Sequence, residues 1–258
     1  MRYGTKPNTL SISKNKANRH TLTYALSTPH KYKHHTTNMA TRLIALLLAS
    51  LPTASIIQAQ PSSAKHYILE ATSADTQLIV RGDTAELYSP EGATLWLDTL
   101  LAGDSIVVEY EAQVVVKDSE RDRLSDLNCF FMASETDGSS VLIKADERRG
   151  IFANCYSMQL YYVGYGGNWN TTTRMRRYDG QGTPPIAAEY TDELHLLKAN
   201  RWYKVRLSLI GNVFTYDMDG ERLFTYHDVA PLRQGHFGFR TTKSHTMIRH
   251  VTINSHTL

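Results

Sequence analysis

The sequence predicts an all-β fold, a two-sheet antiparallel jelly-roll sandwich formed by residues 60–258 of a 258-residue chain. Three observations carry this. Short runs rich in β-branched and aromatic residues recur at strand length, punctuated by Gly, Asp, Asn and Pro. No amphipathic helical period of useful length separates them. No solenoid or propeller repeat, and no Pro- or Ser-rich linker, divides the segment, which therefore reads as one domain.

The strands are expected in order. Residues 67–70, 77–81 and 85–88 are short β-type runs, and residues 105–116 form the longest β-branched stretch. Residues 127–134 and 156–164 follow, both rich in aromatics. Residues 201–210 are the clearest: Tyr203, Val205, Leu207 and Leu209 alternate with Trp202, Lys204, Arg206 and Ser208. Period two turns the first set toward a core and the second toward solvent or a cleft. Gly211-Asn212 and Asp219-Gly220 are tight-turn dipeptides, suited to the positive φ of hairpins, and lead into residues 213–218 and 221–226. Residues 236–240 and 247–253 complete the series.

Charge separates the beginning of the chain from the rest. Residues 1–59 hold eight Lys and Arg and no Asp or Glu, which leaves 20 bases against 25 acids elsewhere, a net of −5. A mildly acidic body has no general attraction for a phosphate backbone, so nucleic acid is not an expected partner. Residues 39–59 have the parts of a secretory signal: Arg42, an apolar stretch from Leu43 to Leu51, then Pro52 and small residues up to Ala59. That apolar stretch is well short of the ~20 residues needed to cross a bilayer. The expectation is a secreted or periplasmic protein with no stable membrane span after signal cleavage. Residues 1–38 read as a disordered extension or as sequence ahead of a true start at Met39, and the His34-His35 pair in them carries no metal expectation.

Two cysteines, Cys129 and Cys155, stand in strand-like segments. Export permits a disulfide, and burial as free thiols fits equally well. No Cys/His spacing points to zinc. No contiguous Asp-rich loop marks an oxygen-ligated calcium of the kind jelly rolls often hold, so no cofactor is expected, and a structural calcium stays open.

The candidate chemistry concentrates in residues 161–180, Tyr-Tyr-Val-Gly-Tyr-Gly-Gly-Asn-Trp-Asn-Thr-Thr-Thr-Arg-Met-Arg-Arg-Tyr-Asp-Gly. Sugars are held by hydrogen bonds to their hydroxyls and by aromatic faces under their C–H surfaces, and Arg binds a uronate carboxylate bidentately. Strand parity places Arg174, Arg176 and Tyr178 on one face and Met175 and Arg177 on the other; Gln159, Tyr161 and Tyr165 share a face of their own strand. The expectation is a groove for a poly- or oligosaccharide. Arg174 and Arg176 would clamp carboxylate or hydroxyl, and Tyr161 or Tyr165 would serve as base. Gln159, Asn168, Trp169, Asn170, Tyr178 and Arg240 would contact sugar. His236 is a second candidate base, available because imidazole titrates near neutrality. A solvated Arg ladder beside ordinary sheet aromatics is the alternative. Several activities are argued down. No paired carboxylates stand on an obvious cleft strand, as a glycosidase requires, and Gly-x-Ser-x-Gly, His-Glu-x-x-His and phosphate-binding Gly loops are absent.

Residues 126–134 (Asp-Leu-Asn-Cys-Phe-Phe-Met-Ala-Ser), residues 161–180, Arg201-Trp-Tyr and Gly235-His-Phe-Gly-Phe-Arg-Thr-Thr together resemble a secreted bacterial family of unknown function. Its members have a concanavalin A-like lectin/glucanase jelly roll and often occur among polysaccharide-utilisation proteins. The resemblance extends over residues 65–254 and implies that fold and a carbohydrate context. It supplies no catalytic residue, and an aromatic is more usual where Cys155 stands, which argues against a required disulfide. Three functions stay open: a polysaccharide lyase acting on a uronate-containing glycan, a non-catalytic carbohydrate-binding module, and an accessory envelope protein.

Overall fold

The computed structural model describes residues 66–119 and 122–256. The expected signal segment, residues 1–38 and the His34-His35 pair lie outside the described residues. Alternating apolar and polar side chains pair into two antiparallel sheets of seven strands each, stacked as a jelly-roll sandwich. The strands are β1 (Tyr67–Ala71), β2 (Gln77–Arg81), β3 (Thr84–Ser89), β4 (Ala93–Ala102), β5 (Ser105–Val115), β6 (Leu127–Glu135) and β7 (Met158–Gly166). They continue as β8 (Thr172–Asp179), β9 (Ala188–Tyr190), β10 (Tyr203–Ile210), β11 (Val213–Met218), β12 (Glu221–His227), β13 (Gln234–Thr241) and β14 (Ser244–His256). The first sheet runs β1-β4-β13-β6-β7-β8-β9 and the second β12-β11-β10-β5-β14-β3-β2. No helix among the described residues is long and apolar enough to cross a membrane.

The inner faces meet in one apolar core. From the first sheet come Leu95, Phe131, Tyr161, Val163 and Phe237, and from the second Val108, Val205, Leu207 and Phe214. Tyr161 and Phe214 stack across the sandwich, with ring centroids 4.8 Å apart. The alternation in residues 203–209 turns inward as its period requires.

A second, smaller core lies outside the first sheet. Residues 136–157, between β6 and β7, fold back over that face in three short helical turns, Val141–Lys144, Ala145–Arg148 and Phe152–Ser157. Val141 and Cys155 of this cover pack on Trp96, Phe130, Leu160, Tyr162 and Tyr178 of the sheet. Buried charges hold it down. Arg148 donates to Glu70 Oε2 at 2.9 Å and to Glu135 Oε1 at 2.7 Å, while the Gly150 amide and the Trp96 indole also donate to Glu70, each at 3.0 Å. A buried guanidinium shared by two carboxylates is sustained only when such hydrogen bonds complete its surroundings.

The strand series differs from expectation at β4 and at the cover. Residues 93–102 lack clean alternation because both of their faces are buried at the start, the inner by the sandwich and the outer by the cover. Residue 156 belongs to a helical turn and not to β7. Cys129 sits in the core between the sheets and Cys155 in the cover, on opposite sides of the first sheet, and both are free thiols.

Candidate functional site

Antiparallel partners directly opposite one another project to the same face. On the outer face of the first sheet this rule yields a continuous polar row with one residue from every strand: Glu70, Thr94, Arg240, Asn128, Gly164, Arg174 and Glu189. The adjacent row is Ile68, Trp96, Gly238, Phe130, Tyr162 and Arg176, largely apolar. The cover rests on the apolar row. Its edge, marked by Phe152, leaves part of the polar row open as a groove of about 190 Å³.

Asn128 and Gly164 are on its floor, Phe152 and Tyr162 on one wall, Asp126, Asn168 and Thr172 on the other, with Arg174 and Arg176 at one end. Gly164 is required for packing: a Cβ there would lie 2.8 Å from Tyr162 Cζ, so a side chain would displace the ring that forms the wall. Asn128 is only 6 % exposed, donates to Asp126 at 3.3 Å and leaves its carbonyl oxygen without a partner. A buried polar atom so left costs about 1–3 kcal/mol, and this one belongs to a side chain on the groove floor.

The rim arginines are held differently. Arg174 pairs with Glu189 of β9, and Arg176 donates to the Pro184 carbonyl. Arg176 forms no ion pair with a carboxylate among the described residues.

Beyond Gly166 the chain makes a left-handed turn. Asn168, Trp169 and Asn170 have φ of 49°, 61° and 57°. Such angles are rare for bulky residues and need support from outside the turn. Asn170 provides it, donating to the Leu197 carbonyl at 3.0 Å and accepting from the Leu197 amide at 2.8 Å. The turn holds Trp169 out at 70 % exposure, with the Arg123 guanidinium 4.6 Å from its ring centroid.

Of the residues singled out in the sequence, Arg174, Arg176 and Asn168 come together in the groove, and Trp169 follows Asn168 in the exposed turn. The others are elsewhere. Tyr161 and Tyr165, expected to share a trough with the arginines, point to the opposite face. Register sets Tyr161 beside Arg177 and leaves Tyr162 beside Arg176. Tyr161 is fully buried, donates to Asp228 Oδ2 at 2.6 Å and has its phenol pushed well up by burial and by that bond. Asp228 also accepts from Arg177 at 2.8 Å. Tyr165 packs on Tyr203 in the same core. Gln159 shares their face and not that of the arginines. Tyr178 does share the face of Arg174 and Arg176, yet the cover buries it. Asn170 is committed to the turn. His236 lies under the cover, in hydrogen-bond contact with Ser140 Oγ at 2.9 Å and the Leu97 carbonyl at 3.2 Å, and burial lowers its pKa. Arg240 is in the polar row beside Asn128 but behind Phe152, whose ring centroid is 5.4 Å from the guanidinium carbon.

Asn128, Tyr162, Gly164 and Phe152 were not singled out. Parity within residues 127–134 and 156–164 carries the signal for the first three, but only once the register with β8 is known. Phe152 comes from the cover, which no strand pattern reveals.

No curated protein matches the chain. Solved structures with the same architecture do. One is a protein of unknown function with a galectin-like fold from Bacillus subtilis, at TM-score 0.59 and 16 % identity, covering 73 % of this chain and 89 % of that one. Another is the carbohydrate-binding module CBM66 from Bacillus subtilis, at TM-score 0.50 and 12 % identity, covering 73 % and 95 %. A third is the metal-free carbohydrate recognition domain of Emp46p, at TM-score 0.50 and 12 % identity, covering 74 % and 89 %. At these identities the likeness is one of fold. Residues 87–251 match the profile of the domain of unknown function DUF6250, and the chain belongs to that family.

Proposed function

We propose that the protein is an exported carbohydrate-binding jelly roll that holds part of an acidic poly- or oligosaccharide in the groove on its first sheet. One observation carries this reading: a continuous polar row opens at a floor whose buried Asn128 oxygen lacks a partner, between an aromatic wall, a polar wall and two arginines. Hydroxyls would satisfy the floor and the Asn168 side, sugar C–H faces would rest on Phe152 or on the free face of Trp169, and a carboxylate would meet the cationic end. Carbohydrate-binding proteins among the solved structures of like fold agree with it.

Elimination at a uronate has less support. It needs a base within the groove, and the phenol there, Tyr162, is pushed up by burial first and by the charge of Asp126 second, which keeps it protonated at neutral pH. Binding without turnover is therefore the reading we favour.

A glycan array probed with the full chain tests it, accompanied by ultraviolet detection of unsaturated uronate. Saturable binding to acidic glycans without new absorbance is expected. Trp169→Ala should weaken that binding about tenfold, the scale of one aromatic contact, and the double change R174M/R176M at least as much. Unchanged binding in the double variant would end the groove reading, and new absorbance would restore the lyase.

A further inference from the structure

Eight buried side-chain polar atoms among the described residues have no hydrogen-bond partner, and three of them occupy successive positions of the polar row. They are Thr94 Oγ1, Arg240 Nε and Asn128 Oδ1, on adjacent strands β4, β13 and β6. Thr94, Arg240 and Asn128 are 0 %, 2 % and 6 % exposed. An isolated lapse of this kind is ordinary; three neighbours in one row make a patch.

Arg240 is the unusual member. Its Nη1 donates to the Ala93 carbonyl at 2.8 Å and to the Thr241 carbonyl, and it forms no ion pair with a carboxylate among the described residues. A buried guanidinium without an anion is strongly unfavourable even after its surroundings relax. Arg148, buried under the same cover, has two carboxylates. The difference is the missing counter-charge.

Phe152 separates Arg240 from the groove, on whose floor Asn128 lies: its ring lines the groove and also lies over the Arg240 guanidinium. It follows Gly150 and Ile151, so it sits where the cover turns back toward β7.

We infer that Thr94, Arg240 and Asn128 form a carboxylate-reading subsite continuous with the groove, gated by Phe152, which takes the acid group of a uronate residue. The inference rests on the groove reading above and places the main acid recognition on a residue behind the wall, beyond what the rim arginines supply. The carboxylate would accept from Arg240 Nε and from the Thr94 hydroxyl, and a neighbouring sugar hydroxyl would donate to Asn128 Oδ1. Each orphaned atom then gains the partner its chemistry requires.

The test is calorimetry of the full chain with an oligogalacturonate and with the same oligosaccharide after carboxyl reduction. The wild type should bind the acid form about tenfold more tightly or better. Arg240→Met should erase that preference while neutral binding persists, and Arg240→Lys should restore part of it. Phe152→Ala should weaken both forms through the lost wall, yet in stopped-flow mixing speed association of the acid form about fivefold or more relative to the reduced form, as removing a gate does. Should Arg240→Met fail to fold, the Nε–Hε resonance of Arg240 in the wild type decides, shifting with the acid ligand and not with the reduced one. An acid preference that survives Arg240→Met undiminished, or an unmoved resonance with the acid form bound, overturns the subsite and leaves the groove reading with its rim arginines intact; equal binding of both ligands overturns acid recognition in both. Binding of neither overturns both.

Discussion

The outer faces of the two sheets are both rich in arginine, and they differ in what stands opposite each one. On the second sheet, Arg222 lies across from Asp217, Asp217 from Arg206, and Arg206 from Glu109. The pairs close as ion pairs, Arg206 to Glu109 at 3.3 Å and to Asp217 at 3.7 Å, with Arg249 meeting Glu111 at 2.7 Å. On the first sheet the equivalent rows place a glycine and an amide between the guanidiniums, and Arg176 and Arg240 end on backbone carbonyls. A solvated ladder is one that answers its own charges. A binding face leaves some unanswered, and cross-strand register decides which of the two a strand-borne arginine joins.

That contrast can be broken most severely at Arg148. Arg148→Met leaves Glu70 and Glu135 buried without their shared cation and should lower stability by about 3–5 kcal/mol, measured by urea unfolding. A loss under about 1 kcal/mol, the level of an exposed pair, would mean that the first sheet does not depend on its buried charges. Restoring neutrality with E70Q and E135Q in the same chain should recover part of the loss.

The second sheet should respond weakly. Asp217→Asn removes a carboxylate from an exposed ladder and should lower stability by about 1 kcal/mol or less, with the effect shrinking in salt. It should leave glycan binding unchanged. A change in glycan affinity would place a ligand on this face and reverse the comparison.

The smallest effect is an expected silence. Burial pushes the Cys129 thiol up to about 12 and the Cys155 thiol up to about 11, from an ordinary value of 9.0. Raised values mean that the reactive thiolate forms only as pH climbs through those numbers, so neither cysteine should react with a thiol reagent at pH 8 in the native protein. Both should react once unfolded. Reaction of Cys155 alone in Arg148→Met would show that the cover lifts while the sandwich stays closed.

Much of this is legible in the sequence. Strict alternation in residues 203–209 marked a half-buried strand, and Asp219-Gly220 marked its hairpin. Parity alone put Arg174, Arg176 and Tyr178 on one face and Arg177 on the other, as the strand shows. The same parity grouped Gln159, Tyr161 and Tyr165, again correctly, but said nothing of which face that group would share with β8. A shift of one residue exchanges Tyr161 for Tyr162 as the neighbour of Arg176. The cover was illegible for a related reason: its turns are too short to show a helical period, and its burial depends on a sheet surface made by distant strands.

Local chemistry along the chain thus dictated an all-β sandwich, its turns and the parity of each strand, because side-chain alternation and turn preferences act between near neighbours. Which tyrosine faces the groove, which arginine lacks an acid and what lies over it were decided only when strands far apart in the chain came into register. Those properties belong to pairs of residues, and a pair exists only in the folded sheet.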